Sequence, residues 1–464
     1  MRSMPVRADE VSARYARHVN PAFVKLLSVL GYGRVFVRAE GATLWDTEGR
    51  AYLDALAGFG AASFGHNHPA LLAKLRAHLD TQAPNLLHVG PSLYQANFAH
   101  QLAGLLHPSL SVTLFSSSGS EAVESALKLA RVATGRRGFV HAAGGYHGLG
   151  FGALSVAGRA RLRAPFAPLL EGCVEVPFGE VEPLERALSK RRSAAFLVEP
   201  IQAEGGVRVP PSGYLRDAAA LCKKYGTLFV LDEIQTGLGR TGARFAHQWP
   251  GEPFVPDVLL LGKALGGSLL PLAVAVTTPE LHGRAFGSLE RFDLHGATFA
   301  GNSLACAAGS AALDLLVDED LAARAEIAGD RLRHGLSRRL AGHPLVREIR
   351  GRGLLVGVEL GAEASLRRAI SSALGESLAR TVLSQWIAFR MLEAGVLCQP
   401  ASQAWNVLRF TPPLTITDDE IDRLVGITGD VFDTCREVGP VLAALSRTVA
   451  ARGLRGFVFP GGDA

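Results

Sequence analysis

Three segments of this sequence end apolar runs in residues that can do chemistry. "LLLGKALGG" (259–267) closes three leucines with Gly262 and Lys263, and "TLFVLDE" (227–233) closes its run with Asp232. "VTLF" (112–115) leads into "SSSGSEAVESALKLAR" (116–131). Lysine is rarely fully buried, and an aspartate at the dry end of a strand is costly unless it meets a cation. Glu233 stands beside Asp232, but strand alternation turns the two to opposite faces. The third segment reads as strand, turn and helix start, which together make an anion site. The helix N-terminus offers free N–H groups and a positive dipole end, and Gly119 lets the backbone approach closely. Ser118 and Glu121 also have capping-box spacing, so helix capping is the plain alternative. Ligands of open α/β sheets sit beyond the carboxyl ends of the strands. A phosphate site, a buried carboxylate and a buried amine then share one rim.

Pyridoxal phosphate uses all three groups. It has a phosphate, a ring nitrogen that a carboxylate keeps protonated, and an aldehyde that condenses with a lysine. Asp232 would tune the ring as an electron sink. Lys263 would hold the cofactor, then return as the base that moves a proton. Desolvation lowers a lysine pKa and makes the amine usable near neutrality. Other phosphate binders fit less well. No GxxxxGK[ST] string occurs, and "GLGFG" (148–152) is a poor match to GxGxxG.

The elements that must carry these residues follow from the apolar pattern. Short apolar runs alternate with helical stretches from about residue 86: 112–115, 121–131, 138–140, 194–199, 213–226, 227–233, 257–262 and 272–277. That alternation signals an α/β fold, a mostly parallel sheet covered by helices on both faces. Residues 43–56 read as a hairpin turning at Glu48-Gly49, and 68–82 as a helix. After "NSLACAAGSAALDLL" (302–316) a helical stretch runs to about 340. Sheet is expected over 346–360, a helix over 376–394 and a strand over 407–414. Three parts are expected: an N-terminal arm with part of a small domain (1–85), a large cofactor-binding domain (86–325), and a C-terminal small α+β domain (326–464). The last 25 residues read as a helix plus a loose tail.

Composition bounds the rest. The chain has 464 residues, 48% hydrophobic and 20% charged, which fits a globular protein of more than one domain. A net charge of +5 with scattered arginines argues against nucleic acid as a partner. Five dispersed cysteines without a CxxC pair favour a reducing compartment and argue against a disulfide framework or a cysteine zinc site. No apolar run reaches the ~18 residues of a membrane helix, and "MRSMPVRADE" has no apolar signal core. A cytoplasmic protein is expected, with neither membrane nor metal. His66 and His68 in "GHNHP" read as loop and substrate-rim histidines.

At these residues the chain resembles the class III, fold-type I, pyridoxal-phosphate aminotransferases from about residue 20 to 435. The motifs are "SGSEAVESALKLAR", "GGYHG", "VEPIQAEGGV", "LDEIQTGLGRTG", "PDVLLLGKALGG", "ATFAGN" and "LRFTPPLT", in the family's order. "NPAFVKLL", "AGFGAASFGHNHP" and "RAPFAPLLEG" lean toward the putrescine side of the putrescine, ornithine and acetylornithine branch. The resemblance implies a fold-type I architecture with a seven-stranded-type sheet and a small domain from both chain ends. It implies that Lys263 and Asp232 are catalytic, and that Ser118, Gly119, Ser120, Tyr146, His147, Glu199 and Gln235 surround the cofactor. Tyr146 would stack on the ring, and Gln235 would reach the ring hydroxyl. Thr298 would contact the phosphate from a neighbouring subunit, which implies a homodimer with a shared site, or a higher oligomer.

Arg409 sits in an apolar strand, where a lone guanidinium needs a carboxylate. The resemblance implies that it grips a substrate carboxylate, with Glu204 as its partner when that carboxylate is absent. A structural Arg409–Glu204 pair is the plain alternative. The expected reaction transfers an amino group between a terminal amine (a diamine such as putrescine, ornithine or an ω-amino acid), or its aldehyde, and a 2-oxo acid such as 2-oxoglutarate or pyruvate. The rivals are an aminomutase, racemase or decarboxylase on the same fold, and a non-catalytic ligand-binding protein. "GGSLLPLAV" (266–274) is bulkier than the family pattern and is expected to alter the substrate tunnel.

Overall fold

The computed structural model describes residues 7–30, 32–86, 88–251, 254–361 and 376–435. Its centre is a sheet of seven strands: β4 (Val112–Ser116), β5 (Gly138–Ala142), β6 (Cys173–Val176), β7 (Ser193–Val198), β8 (Leu228–Asp232), β9 (Val258–Leu261) and β10 (Ala273–Thr277). The spatial order is β4-β10-β9-β8-β7-β5-β6. Only β10 runs against its neighbours, β4 and β9. The expected α/β fold with a mostly parallel seven-stranded sheet is therefore present.

Strand alternation explains why the runs read as continuously apolar. Phe229, Leu231, Leu259 and Leu261 belong to one buried cluster, while Leu228, Val230, Val258 and Leu260 belong to another. Each strand feeds both faces, so neither set of positions can be polar. The helix Gly119–Thr134 covers one face with Ala122, Val123, Ala126, Leu129, Ala130 and Ala133, which recur at helical spacing. It stops at Gly135, whose φ of 67° lies in the left-handed region.

Two smaller sheets flank this centre. β1 (Phe36–Glu40), β2 (Thr43–Asp46) and β3 (Ala51–Asp54) form a meander, and β13 (Val396–Leu397) pairs parallel to β3. Residues far apart in sequence thus join one sheet. β11 (Val346–Arg352), β12 (Leu355–Leu360), β15 (Ala404–Phe410) and β14 (Gln399–Ala401) form the other. Long helices Ser303–Asp318 and Leu321–Arg339 follow the large sheet, and Glu376–Glu393 precedes β13.

The expected hairpin and the helix over 68–82 are found as β2–β3 and Pro69–Asp80. The strand expected at 407–414 begins earlier, at Ala404, and ends at Phe410, where "TPP" removes an N–H and stops pairing. β6 escaped the sequence reading because "CVEV" is short and broken by Glu175: it is an edge strand with Val174 and Glu175 exposed. The tail expectation lies outside the described residues.

Lys263 depends on the strand before it. Leu260 is fully buried in β9. Leu260→Ala should cost about 2–5 kcal/mol of stability, read as a lower denaturant midpoint; an unchanged midpoint would contradict this packing.

Candidate active site

The carboxyl ends of five strands deliver the site. β4 ends at the Ser118 turn, β5 leads to His147, β7 to Glu199, β8 ends in Asp232 and β9 leads through Gly262 to Lys263. Parallel register explains the meeting. Val198 pairs with Leu231 and Asp232 with Leu260, so the residues just beyond stand side by side.

Asp232 is buried, and its Oδ2 lies 2.7 Å from His147 Nδ1. Its Oδ1 accepts the Ile234 N–H at 3.0 Å. Burial works against a charged His147, but the bond and charge of Asp232, with Glu199 nearby, hold its pKa above the ordinary imidazole value. Glu199 accepts the Tyr146 N–H at 2.9 Å. Burial, against the pull of His147, pushes the Glu199 carboxyl up to about 7.

Lys263 is half-buried and donates from Nζ to Gln235 Oε1. Burial lowers its amine to about 8, against the pull of Glu204. Its φ of 47° is unusual for a residue with a Cβ and marks local strain of about 1–3 kcal/mol.

At the Ser118 turn, Ser118 Oγ accepts the Glu121 N–H at 3.3 Å, while Glu121 accepts the Ser117 N–H at 2.7 Å. The capping therefore reaches one residue further back than S-x-x-E spacing suggests. The N–H groups of Gly119 and Ser120 have no intrahelical acceptor. A Cβ on Gly119 would lie 2.9 Å from Ile234 Cδ1 and 3.1 Å from its Cγ2, so any larger residue requires Ile234 to shift. Ser120 Oγ accepts the Gly150 N–H at 3.0 Å.

Arg409 is fully buried and forms an ion pair with Glu204. Its register partner in β12 is Gly357. Glu204 also accepts the Ser402 N–H at 3.0 Å. Burial disfavours this carboxylate, but Arg409 and Lys263 hold it down at about 2. The Nε and Nη2 of Arg409 keep no acceptor within the protein.

The fold does not gather every candidate. Thr298 lies in an exposed turn and makes no hydrogen bond to the other site residues. Tyr146 is half-buried, with Glu199 and Glu204 near its hydroxyl. In "GGSLLPLAV", Leu270 packs on the core and Ser268 Oγ accepts the Phe64 N–H at 3.2 Å. His66 binds Asp54 at 2.7 Å and His68 faces Glu319 at 3.7 Å. Among the described residues no group of three or more His, Cys, Asp or Glu could hold a metal.

Sequence reasoning missed two residues. Phe59 stands with its ring centroid 5.2 Å from the Arg409 guanidinium, on a turn where Ala57, Gly58 and Phe59 all have positive φ. The glycines of "AGFG" were the available signal. Arg240 is fully buried, donating to Leu354 O, Pro412 O and Ser63 Oγ. It ties the loop after β8 to both flanking segments.

These residues fit pyridoxal phosphate. A donor-rich helix start can take the phosphate, Asp232 the ring nitrogen and Lys263 the aldehyde. The buried Gln235 Nε2 has no partner and is available as a donor. A mostly parallel seven-stranded sheet carrying these groups on its carboxyl rim defines a fold-type I pyridoxal-phosphate protein.

Comparison with known proteins narrows the class. The family description "Aminotransferase class-III" matches residues 30–432. The chain is 36% identical to the aminotransferase PigE of a Serratia species over 461 residues, covering 92% of this chain and 54% of PigE. It therefore spans about half the length of that relative. A thermostable (S)-enantioselective ω-transaminase from Thermomicrobium roseum superposes with a TM-score of 0.84 at 30% identity, covering 94% and 100% of the two chains. The ornithine aminotransferase of Toxoplasma gondii gives 0.81 at 32%, covering 93% and 96%. The acetylornithine aminotransferase of Elizabethkingia anophelis gives 0.70 at 30%, covering 86% and 94%. The chain belongs to the class III aminotransferases, a family of pyridoxal-phosphate-dependent enzymes.

The lowered Lys263 pKa has a pH consequence. Its folded value of about 8 lies below the ordinary lysine value of 10.5, so the unfolded chain binds more protons between them. Apoprotein stability should therefore rise with pH across that window. Cofactor uptake by apoprotein, followed as growth of its absorption band, should rise to a plateau above about pH 8. A rate still climbing past the ordinary lysine range would contradict a dry amine.

Proposed function

We propose that this chain catalyses transamination between a terminal amine, such as putrescine, ornithine or an ω-amino acid, or the corresponding aldehyde, and a 2-oxo acid such as 2-oxoglutarate or pyruvate. The observation that carries this reading is the Arg409–Glu204 pair beside Lys263. A guanidinium with two unused nitrogens can accept a substrate carboxylate if Glu204 releases it. With Glu204 in place its charge is masked, and a substrate without a carboxylate can enter. One site then serves two chemically different substrates in turn.

The residue roles follow. Ser118, Gly119 and Ser120 hold the phosphate, with Thr298 from a second subunit. Tyr146 covers the ring, Gln235 meets its hydroxyl, and His147 and Glu199 support Asp232, which pairs with the ring nitrogen. Lys263 Nζ holds the cofactor at rest, then accepts and returns the proton at the substrate carbon that bears nitrogen. Bound pyridoxal phosphate supplies the electron sink and the carbonyl group that carries nitrogen from donor to acceptor.

Thr298 supports a homodimer with shared sites. Around it Leu289 is 92% and Phe292 67% exposed, and Leu294 and Phe299 are exposed too. So much uncovered apolar surface calls for a partner surface. The parts 1–85, 86–325 and 326–464 are proposed as arm with part of the small domain, large domain, and C-terminal small domain. Among the described residues no helix is long and apolar enough to cross a membrane. The five free cysteines accord with a cytoplasmic setting.

A panel of diamines, α-amino acids and ω-amino acids with 2-oxoglutarate or pyruvate tests this reading. Terminal amines should donate to the 2-oxo acid. Arg409→Lys keeps the charge but loses the two-pronged grip. It should raise KM for the 2-oxo acid about tenfold or more, as expected for a charge-assisted hydrogen bond of about 1.5–3 kcal/mol, and change KM for a diamine little. A single substrate that is isomerised or loses carbon dioxide, with no amino exchange, would instead assign an aminomutase, racemase or decarboxylase.

A further inference from the structure

Glu199 is 5% exposed and sits at the end of β7, next to β8, which ends in Asp232. On the other side of β7 lies β5, whose following loop brings His147. Two carboxyl groups and one imidazole thus converge at three neighbouring strand ends. The imidazole is already committed to Asp232 at 2.7 Å. Glu199 has only the Tyr146 N–H at 2.9 Å. Among the described residues no lysine, arginine or histidine nitrogen lies within 4.0 Å of its carboxyl oxygens.

A buried carboxylate with one neutral donor, beside a second carboxylate, is the arrangement in which one of the pair keeps its proton. Asp232 has the stronger claim to the charge, because it holds both His147 and the Ile234 N–H. Glu204 makes the contrast: it is equally dry but meets Arg409 and stays ionised.

We propose that Glu199 is a neutral carboxylic acid in the resting site, a positioning residue whose proton leaves Asp232 as the one ionised carboxylate of the pair. This rests on the reading of Asp232 as the partner of the cofactor's ring nitrogen. A second negative charge beside Asp232 would pull protons toward His147 and Lys263. Keeping Glu199 neutral leaves the lysine amine easier to deprotonate and the charge facing the ring fixed at one. The charged and titratable groups facing Glu199 are His147 from the loop after β5, Asp232 from β8 and Lys263 from beyond β9, with the Tyr146 hydroxyl nearby. The burial that pushes its carboxyl to about 7 fits this arrangement and sets where it ends. As pH rises past that value Glu199 ionises, and proton affinity at His147 and Lys263 should rise with it.

The test is infrared difference spectroscopy of holoenzyme and cofactor-free protein, titrated through neutrality, on wild type and Glu199→Gln. Wild type should show the carbonyl stretch of a protonated acid on the acid side of neutrality, lost as pH rises past about 7. Glu199→Gln should lack it, and Glu204→Gln should keep it. Burial also raises Asp257, just before β9, and any acid band it contributes should be left in place by Glu199→Gln. In the pH profile of kcat/KM, Glu199→Gln should shift the limb near neutrality by about one unit or more, which loss of packing alone would not do. If that variant does not fold, wild type carrying carboxyl-labelled glutamate gives the same readout by NMR: one glutamate titrating near neutrality supports the proposal, and none overturns it. Acid bands identical in wild type and Glu199→Gln also overturn it. An acid band that Glu199→Gln removes, in a protein with no amino exchange, keeps the proposal and rejects transamination instead.

Discussion

Burial of opposed charges at the carboxyl ends of adjacent parallel strands is the constraint on which the rest depends. Asp232 must be dry to be strong, and it can be dry because His147 sits 2.7 Å away. Lys263 must be dry to lose its proton near neutrality. The sheet achieves both with one device. Parallel strands put their ends on one rim, and apolar residues on both faces keep water from that rim.

Around this rim the charged groups hold one another. Glu204 holds Arg409, Gln235 takes the lysine amine, and Glu121 caps the turn that starts the helix Gly119–Thr134. The donors left over are informative. Gln235 Nε2 and Arg409 Nε and Nη2 are buried and unpartnered, which costs about 1–3 kcal/mol each unless a ligand meets them. On the function proposed above, they would meet a ring hydroxyl and a substrate carboxylate.

Much of this was legible in the sequence. "LLLGK" and "LFVLD" state a dry strand and a misplaced charge in nine letters or fewer, and both strands end as read. The turn at Gly119 was legible because a glycine between an apolar run and a helical stretch marks where strand gives way to helix. What was not legible depends on contacts between distant segments. Phe59 reaches Arg409 across 350 positions of sequence, and only strained backbone at Ala57 to Phe59 aims it there. The edge strand β6 lacks an apolar pattern because one side meets water. Thr298 reads as a site residue only by resemblance, since in a single chain it stands exposed. The neutral state of Glu199 is invisible in "VEPIQ", because it depends on which neighbour holds the histidine.

Lys263 is the amine that this rim presents to the cofactor on the proposed function. Reduction of the holoenzyme with borohydride, followed by digestion and mass mapping, tests it most directly. One pyridoxyl group per chain is expected, on the peptide that contains Lys263. A label on another lysine, or none on a protein that still turns over, would contradict it.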